Sequence, residues 1–170
     1  LVVSDSPLAG LIRTKILARI AAFAMTLKPI QAIVFRIVSQ TGIHYRNGPL
    51  SETLEGIPHS TPRAGDRFPW LRLKFQANGT VEDSFQKLDD MHFNLVVIGQ
   101  PPPPEGAIGL GDLLRIHVIP ADPVNDMELA RAQIVQPSFY LLRPDGHVGL
   151  CGVRPEVAAI TRYVSEHYVR

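Results

Sequence analysis

Six residues constrain this chain more than any other feature: Phe93-Asn94-Leu95-Val96-Val97-Ile98. A nearly continuous apolar run of strand length is the mark of a central strand buried on both faces, because a strand covered on one side alternates with polar residues. Such a strand needs one layer above it and another below. Four prolines, Pro101 to Pro104, follow directly, and with 15 prolines in 170 residues the chain is broken often.

The segments around this strand supply the layers. Leu71, Leu73 and Phe75 alternate with Arg72 and Lys74 as in a half-buried strand, and Asn78-Gly79 turns the chain. Residues 84–90 read as a short helix with Phe85 and Leu88 on one side. Leu114, Ile116 and Val118 alternate with Arg115 and His117 in another strand, and residues 126–133 form a short helical stretch. Phe139–Leu142 and His147–Leu150 flank Arg143-Pro144-Asp145-Gly146, where proline second and glycine fourth suit a type I turn and hence a hairpin. Pro155 opens a last helix, with Val157, Ile160, Thr161, Val164 and Tyr168 at three-to-four spacing. From residue 71 the order is strand, helix, strand, crossover, strand, helix, hairpin, helix. It predicts an α/β domain over 71–170, a mixed sheet with helices on both sides, for which a thioredoxin-like arrangement is a natural solution.

Before it lie two further pieces. Ile12, Ile16, Ile20, Phe23 and Leu27 mark one face of a helix over 11–27, and Pro29 opens a second helical pattern that ends near Gly42. Residues 1–45 thus read as a helical segment. Residues 46–70, with Gly48-Pro49, Gly56, Pro58, Pro62, Gly65 and Pro69, read as a linker. Leu1 stands where a Met would open a complete chain, so the expectation is a processed product or a piece of a longer protein. Arg13, Lys15 and Arg19 break any secretory pattern, and Lys28-Pro29 interrupts the most apolar stretch. No membrane span is therefore expected, and the expected location is cytoplasmic. The 17 basic and 16 acidic residues nearly cancel, which leaves no broad footprint for nucleic acid.

Catalytic motifs are scarce. A thioredoxin-like redox site needs a cysteine at the start of the helix after the central strand, where the helix dipole acidifies the thiol. That place holds Gln100-Pro101-Pro102-Pro103-Pro104-Glu105. Cys151, the single cysteine, falls after the hairpin and reads as a small half-buried apolar residue. The six histidines form no HxH or HxxxH pair, although His117 and His147 sit on strands that could bring them together. Gly109-Leu110-Gly111 precedes a strand, the reverse of a dinucleotide fingerprint. GxSxG and GxxxxGK[ST] are absent, and Asp89-Asp90 reads as a solvated pair. Arg46, Arg63, Arg67, Arg72 and Arg143 are scattered along the chain and read as forming no patch.

Three segments carry a family resemblance. Arg63-Ala64-Gly65-Asp66-Arg67-Phe68-Pro69 resembles the (P/A)GxRxP motif that opens the C-terminal domain of FAD-dependent aromatic-ring hydroxylases. Leu141-Leu142-Arg143-Pro144-Asp145-Gly146-His147-Val148 resembles the LVRPDGxVAWR motif near their C-terminus. Ile43-His44-Tyr45-Arg46-Asn47-Gly48-Pro49-Leu50 is similar to the (I/L)xYxxSPL segment that joins flavin domain to tail. The three stand in family order over residues ~43–165. They depart from it at Gly48, in place of serine, and at Gly149-Leu150-Cys151, in place of Ala-Trp-Arg.

The family is the phenol-hydroxylase and polyketide-hydroxylase type of flavoprotein monooxygenase. The resemblance implies that residues 1–45 end a flavin-binding domain lying mostly upstream. It implies a thioredoxin-like tail that is redox-silent, structural or homodimer-forming. FAD and NAD(P)H are implied for the parent enzyme, which hydroxylates a phenolic ring, and no cofactor for this chain alone. No catalytic, cofactor-binding or metal residue is carried over. The motif residues Tyr45, Gly65, Asp66, Arg67, Pro69, Arg143, Pro144, Asp145 and Gly146 have mechanical readings: Gly65 permits a tight turn, Asp66 or Arg67 pins the loop by pairing, and Pro144-Asp145-Gly146 sets the hairpin. Two other readings stay open on the residues alone: a stand-alone thioredoxin-like binding or dimerisation module, and a peroxidase using Cys151 alone.

Overall fold

The computed structural model describes residues 44–104 and 106–168, which belong to the compact unit His44–Arg170. The helices expected over 11–27 and 30–40 lie outside the described residues.

The buried run forms β4 (Phe93–Ile98), and every one of its residues is buried. It lies in a five-stranded mixed sheet with β1 (Glu52–Thr53), β5 (Leu114–Ile119), β6 (Ser138–Leu142) and β7 (Val148–Gly152), in the order β1-β7-β6-β4-β5. Strand β5 runs parallel to β4, β6 antiparallel to β4, β7 antiparallel to β6, and β1 parallel to β7. Two helices cover the faces, α2 (Pro123–Arg131) and α3 (Val157–Tyr168). Alternate β4 residues feed two cores. Leu95 and Val97 join Phe139, Leu141 and Leu150 beneath Ile160, Tyr163 and Val164 of α3. Val96 and Ile98 join Tyr140, Leu142 and Cys151 beneath Leu129 of α2, Phe68, Leu71 and Leu73. The double burial read from the sequence thus corresponds to two separate apolar layers.

The strand expected at Leu71–Phe75 shrinks to β2 (Arg72–Leu73) and stays out of the main sheet. It pairs antiparallel with β3 (Glu82–Asp83), a strand with no apolar residue to reveal it. Its alternation holds, since Leu71 and Leu73 are buried and Arg72 is exposed. Asn125 of α2 fixes this layer: it accepts from Lys74 N at 2.8 Å and donates to the Lys74 and Pro120 carbonyls. The helix expected over 84–90 is one turn, α1 (Ser84–Lys87), because Leu88 is already extended. Leu88 packs on the core while Phe85 is 48% exposed, so the two do not share a buried side. Helix α2 begins at Pro123, three residues before the apolar periodicity suggests. Asp122 caps it by accepting from Val124 N at 2.9 Å.

Cys151 departs furthest from its reading. It lies inside β7 and is fully buried. The register slips between Leu141 and Leu142, which face Leu150 and Val148, so Gly149 is the extra residue of a bulge. The bulge turns Val148 and Cys151 to one core and Leu150 to the other. A Cβ at Gly149 would sit 2.2 Å from the Tyr163 hydroxyl oxygen. That hydroxyl donates to the Leu50 carbonyl at 2.8 Å. Glycine here lets α3 lie flat on the sheet and lets Tyr163 reach across to the segment before β1. Gly149→Ala is expected to destabilise the domain by about 1–3 kcal/mol through overpacking. Tyr163→Phe, which clears the nearest atom, should make the alanine less costly, giving a non-additive double-mutant cycle in denaturant unfolding.

Candidate functional site

Three separated motifs meet at one end of β7. The turn after β6 comes first. Gly146 N–H donates to the Arg143 carbonyl at 2.9 Å and Arg143 N–H to the His147 carbonyl at 2.9 Å, with Gly146 at φ +77°. This is a type I turn closed by a left-handed glycine. Asp145 accepts from His147 N–H at 3.0 Å and pairs with the Arg143 guanidinium. Burial opposes ionisation of Asp145, but the Arg143 and His147 N–H hydrogen bonds and the neighbouring positive charge together outweigh it and hold the carboxyl below the usual carboxylate range. Pro144 occupies the second turn position, as its fixed φ suits.

Gly65 then docks on β7. Its N–H donates to the Val148 carbonyl at 2.7 Å, and Val148 N–H donates to the Asp66 carbonyl at 2.9 Å. On its other side Gly65 accepts from Tyr45 N–H at 2.8 Å. Its φ is +89°, and a Cβ there would lie 2.3 Å from the Tyr45 carbonyl carbon and 2.4 Å from Arg46 N. Both conformation and space therefore require glycine. The Tyr45 ring meets the His147 ring edge-on at 5.6 Å. Residues 46–70, irregular as their prolines and glycines suggest, are thus tied to the sheet along β1, Gly65 and Phe68, whose N–H donates to the Gly146 carbonyl at 3.1 Å.

Asp66 closes the cluster. Arg46 donates to it twice, Nε to Oδ1 and Nη2 to Oδ2, each at 2.7 Å. Arg63 N–H donates to Oδ2 at 2.9 Å, and His44 Nδ1 lies 2.8 Å from Oδ1. Four contacts from three residues fill the acceptor sites of one carboxylate. The residue is 5% exposed, so burial opposes its ionisation, but the Arg46 and Arg63 hydrogen bonds prevail and its pKa is lowered. Asp66, not Arg67, makes the pinning ion pair. Arg67 instead lies over the Phe85 ring at 5.9 Å, and Pro69 is half-buried in the extended stretch before β2. Arg46, Arg63 and His44 are the partners the motif reading missed; their only signal was proximity to Tyr45 and Gly65 in sequence. The arginines expected to be scattered include two, Arg46 and Arg63, that Asp66 draws together.

Asp66 itself is not a poised base, since its oxygens are occupied. His117 and His147 do not meet: His117 contacts Asn94 and Phe75, and His147 contacts Tyr45 and Asp145. Among the described residues no group of three His, Cys, Asp or Glu is placed to hold a metal, and no helix is long and apolar enough to cross a membrane. The Cys151 thiol is pushed up by burial and contacts Thr53 Oγ1 at 3.7 Å. The place where a thioredoxin-like redox helix would start offers Pro101–Pro104. Prolines have no N–H, so this turn also cannot cradle a pyrophosphate, and the described residues do not fit a flavin dinucleotide there.

Solved structures share this architecture. OxyS, an anhydrotetracycline hydroxylase from Streptomyces rimosus, matches over 94% of this chain and 30% of its own, with a TM-score of 0.54 and 16% identity. PieE, a flavin-dependent monooxygenase solved with FAD and substrate, matches over 96% of this chain and 30% of its own, with a TM-score of 0.50 and 18% identity. The chain has a fold found within FAD-dependent hydroxylases. It spans about 30% of the length of the structures it matches. No protein-family model matches it, and no curated protein matches it by sequence.

Three outcomes are expected. Asp66→Ala should destabilise the unit by about 2–4 kcal/mol, because it strips a buried carboxylate from the Arg46 guanidinium, the Arg63 backbone N–H and His44. The folded-state pKa of Asp66 is lowered, so its contribution is complete above the unfolded value of about 4 and is lost as pH falls through the folded one. Denaturant midpoints measured from pH 6 downward should fall less steeply in Asp66→Asn than in the parent. Cys151 should resist a thiol reagent under native conditions and react fully once unfolded, and rapid native labelling would contradict its burial.

Proposed function

We propose that this chain is the closing part of an FAD- and NAD(P)H-dependent monooxygenase that hydroxylates a phenolic or other aromatic substrate. The observation that carries the reading is the convergence of the three resemblance motifs. Tyr45, Gly65-Asp66 and the Arg143–Gly146 turn are up to a hundred residues apart, yet they are hydrogen-bonded neighbours within two steps of Val148. Motifs that keep one another in place travel together, which accounts for their ordered occurrence. The fold shared with OxyS and PieE supports the same reading.

In this proposal residues 1–45 end the flavin-binding domain, residues 46–70 lead out of it, and residues 71–170 form a thioredoxin-like domain without redox chemistry. The domain serves structure or homodimer contact in a cytoplasmic enzyme. Buried Cys151 and the proline run after β4 support redox silence, because neither offers an accessible, acidified thiol. FAD and NAD(P)H are bound by the upstream part, where this chain contributes no cofactor ligand. The coding sequence upstream of Leu1 tests the proposal. It should encode a GxGxxG at a strand-to-helix junction, and the product that includes it should purify yellow. A stop codon directly upstream, or a yellow protein from the 170 residues alone, would overturn it.

A further inference from the structure

Arg46 and Arg63 do more than hold Asp66. Together with Asn47, Thr53, His59 and Ala64 they line a cleft of about 250 Å³. We infer that this cleft binds a phosphoryl group.

The side chains that line it present donors. Asp66 fixes Arg46 through Nε and Nη2, which leaves Nη1 and its two hydrogens pointing away from the carboxylate. Arg63 pairs with no carboxylate side chain among the described residues; its Nη1 lies 2.7 Å from His59 Nδ1. Arginine only donates, so His59 Nδ1 accepts and the ring proton sits on Nε2, a further donor. Thr53 Oγ1 already accepts from Ala64 N–H at 3.2 Å and contacts the Cys151 thiol at 3.7 Å, which leaves its own hydrogen to give. Among the described residues no acidic side chain lines the cleft, and Asp66, which holds Arg46, is saturated. Among the described residues, two guanidiniums against one carboxylate leave one positive charge without a carboxylate partner.

A planar fork held in place by a buried ion pair recognises a tetrahedral oxyanion with less ordering entropy than a free arginine. A phosphate monoester or diphosphate end brings three acceptor oxygens, which match the donors of Arg46, Arg63 and His59. The cleft is smaller than the roughly 300–1,000 Å³ of drug-sized ligand sites, so it takes the anionic head of a ligand and leaves the remainder outside. The anion is either free phosphate or the terminal phosphoryl of a nucleotide.

The test is a titration of the full 170-residue chain followed by amide NMR shifts, at low ionic strength to limit screening. Inorganic phosphate and ADP are the probes, with sodium chloride at matched ionic strength as control. Saturable shifts are expected at Asn47, Thr53, His59 and Arg63. Tighter binding of ADP assigns the site to a nucleotide phosphoryl, and equal or tighter binding of phosphate assigns it to the free ion. Arg63→Gln, which leaves the Arg46–Asp66 pair intact, should weaken binding about tenfold or more. Asn47→Asp should do the same by placing a negative charge at the rim, and it decides the matter if Arg63→Gln does not fold. Absence of saturable shifts with both probes, or parent-like titration of the folded variants, would overturn the inference.

Discussion

The structure depends on one backbone junction: Gly65 held between Tyr45 on one side and Val148 on the other. Only a residue without a Cβ, in a left-handed conformation, lets three strands of chain approach so closely. Asp66 then converts proximity into a lock. Its carboxylate gathers Arg46 and the Arg63 backbone, while its carbonyl receives the Val148 amide. The buried charge is tolerated because every oxygen is engaged; removing one partner would leave the others desolvated and unpaired.

This junction gives an irregular stretch a fixed place. Residues 46–70 hold almost no regular structure, yet β1 adds to the sheet beside β7 and Phe68 enters a core. From β7 the same constraint runs outward. The Gly149 bulge sends Cys151 into a core and opens room for Tyr163 to tie α3 to Leu50. The Cys151 side chain fills that core. Around a small cleft stand two arginines, Arg46 paired with Asp66 and Arg63 against His59.

Local pattern revealed what local physics decides. Strand β4 was legible because six apolar residues in a row have few alternatives, and α3 because Val157, Ile160 and Val164 repeat at helical spacing. The Arg143–Gly146 turn was legible because proline and glycine each restrict φ in a known way. Strands β1 and β3 were not, since Glu52-Thr53 and Glu82-Asp83 owe their conformation to partners far along the chain. The bulge was hidden for a similar reason: a glycine in a strand does not announce which partner residue it skips. The Arg46–Asp66 pair spans 20 residues, and no spacing rule marks such a pair. Hence the arginines looked scattered, and the candidate anion cleft appeared only once the chain was folded.

The three motifs, taken as one mechanical unit, are the central claim of this account. Native-state hydrogen exchange tests it most directly. The amides of Tyr45, Gly65 and Val148 should open with the same free energy and denaturant dependence as the β4 and β6 amides, as members of one cooperative unit. Exchange of Tyr45 and Gly65 through a separate, low-energy opening, with Val148 still protected, would contradict it.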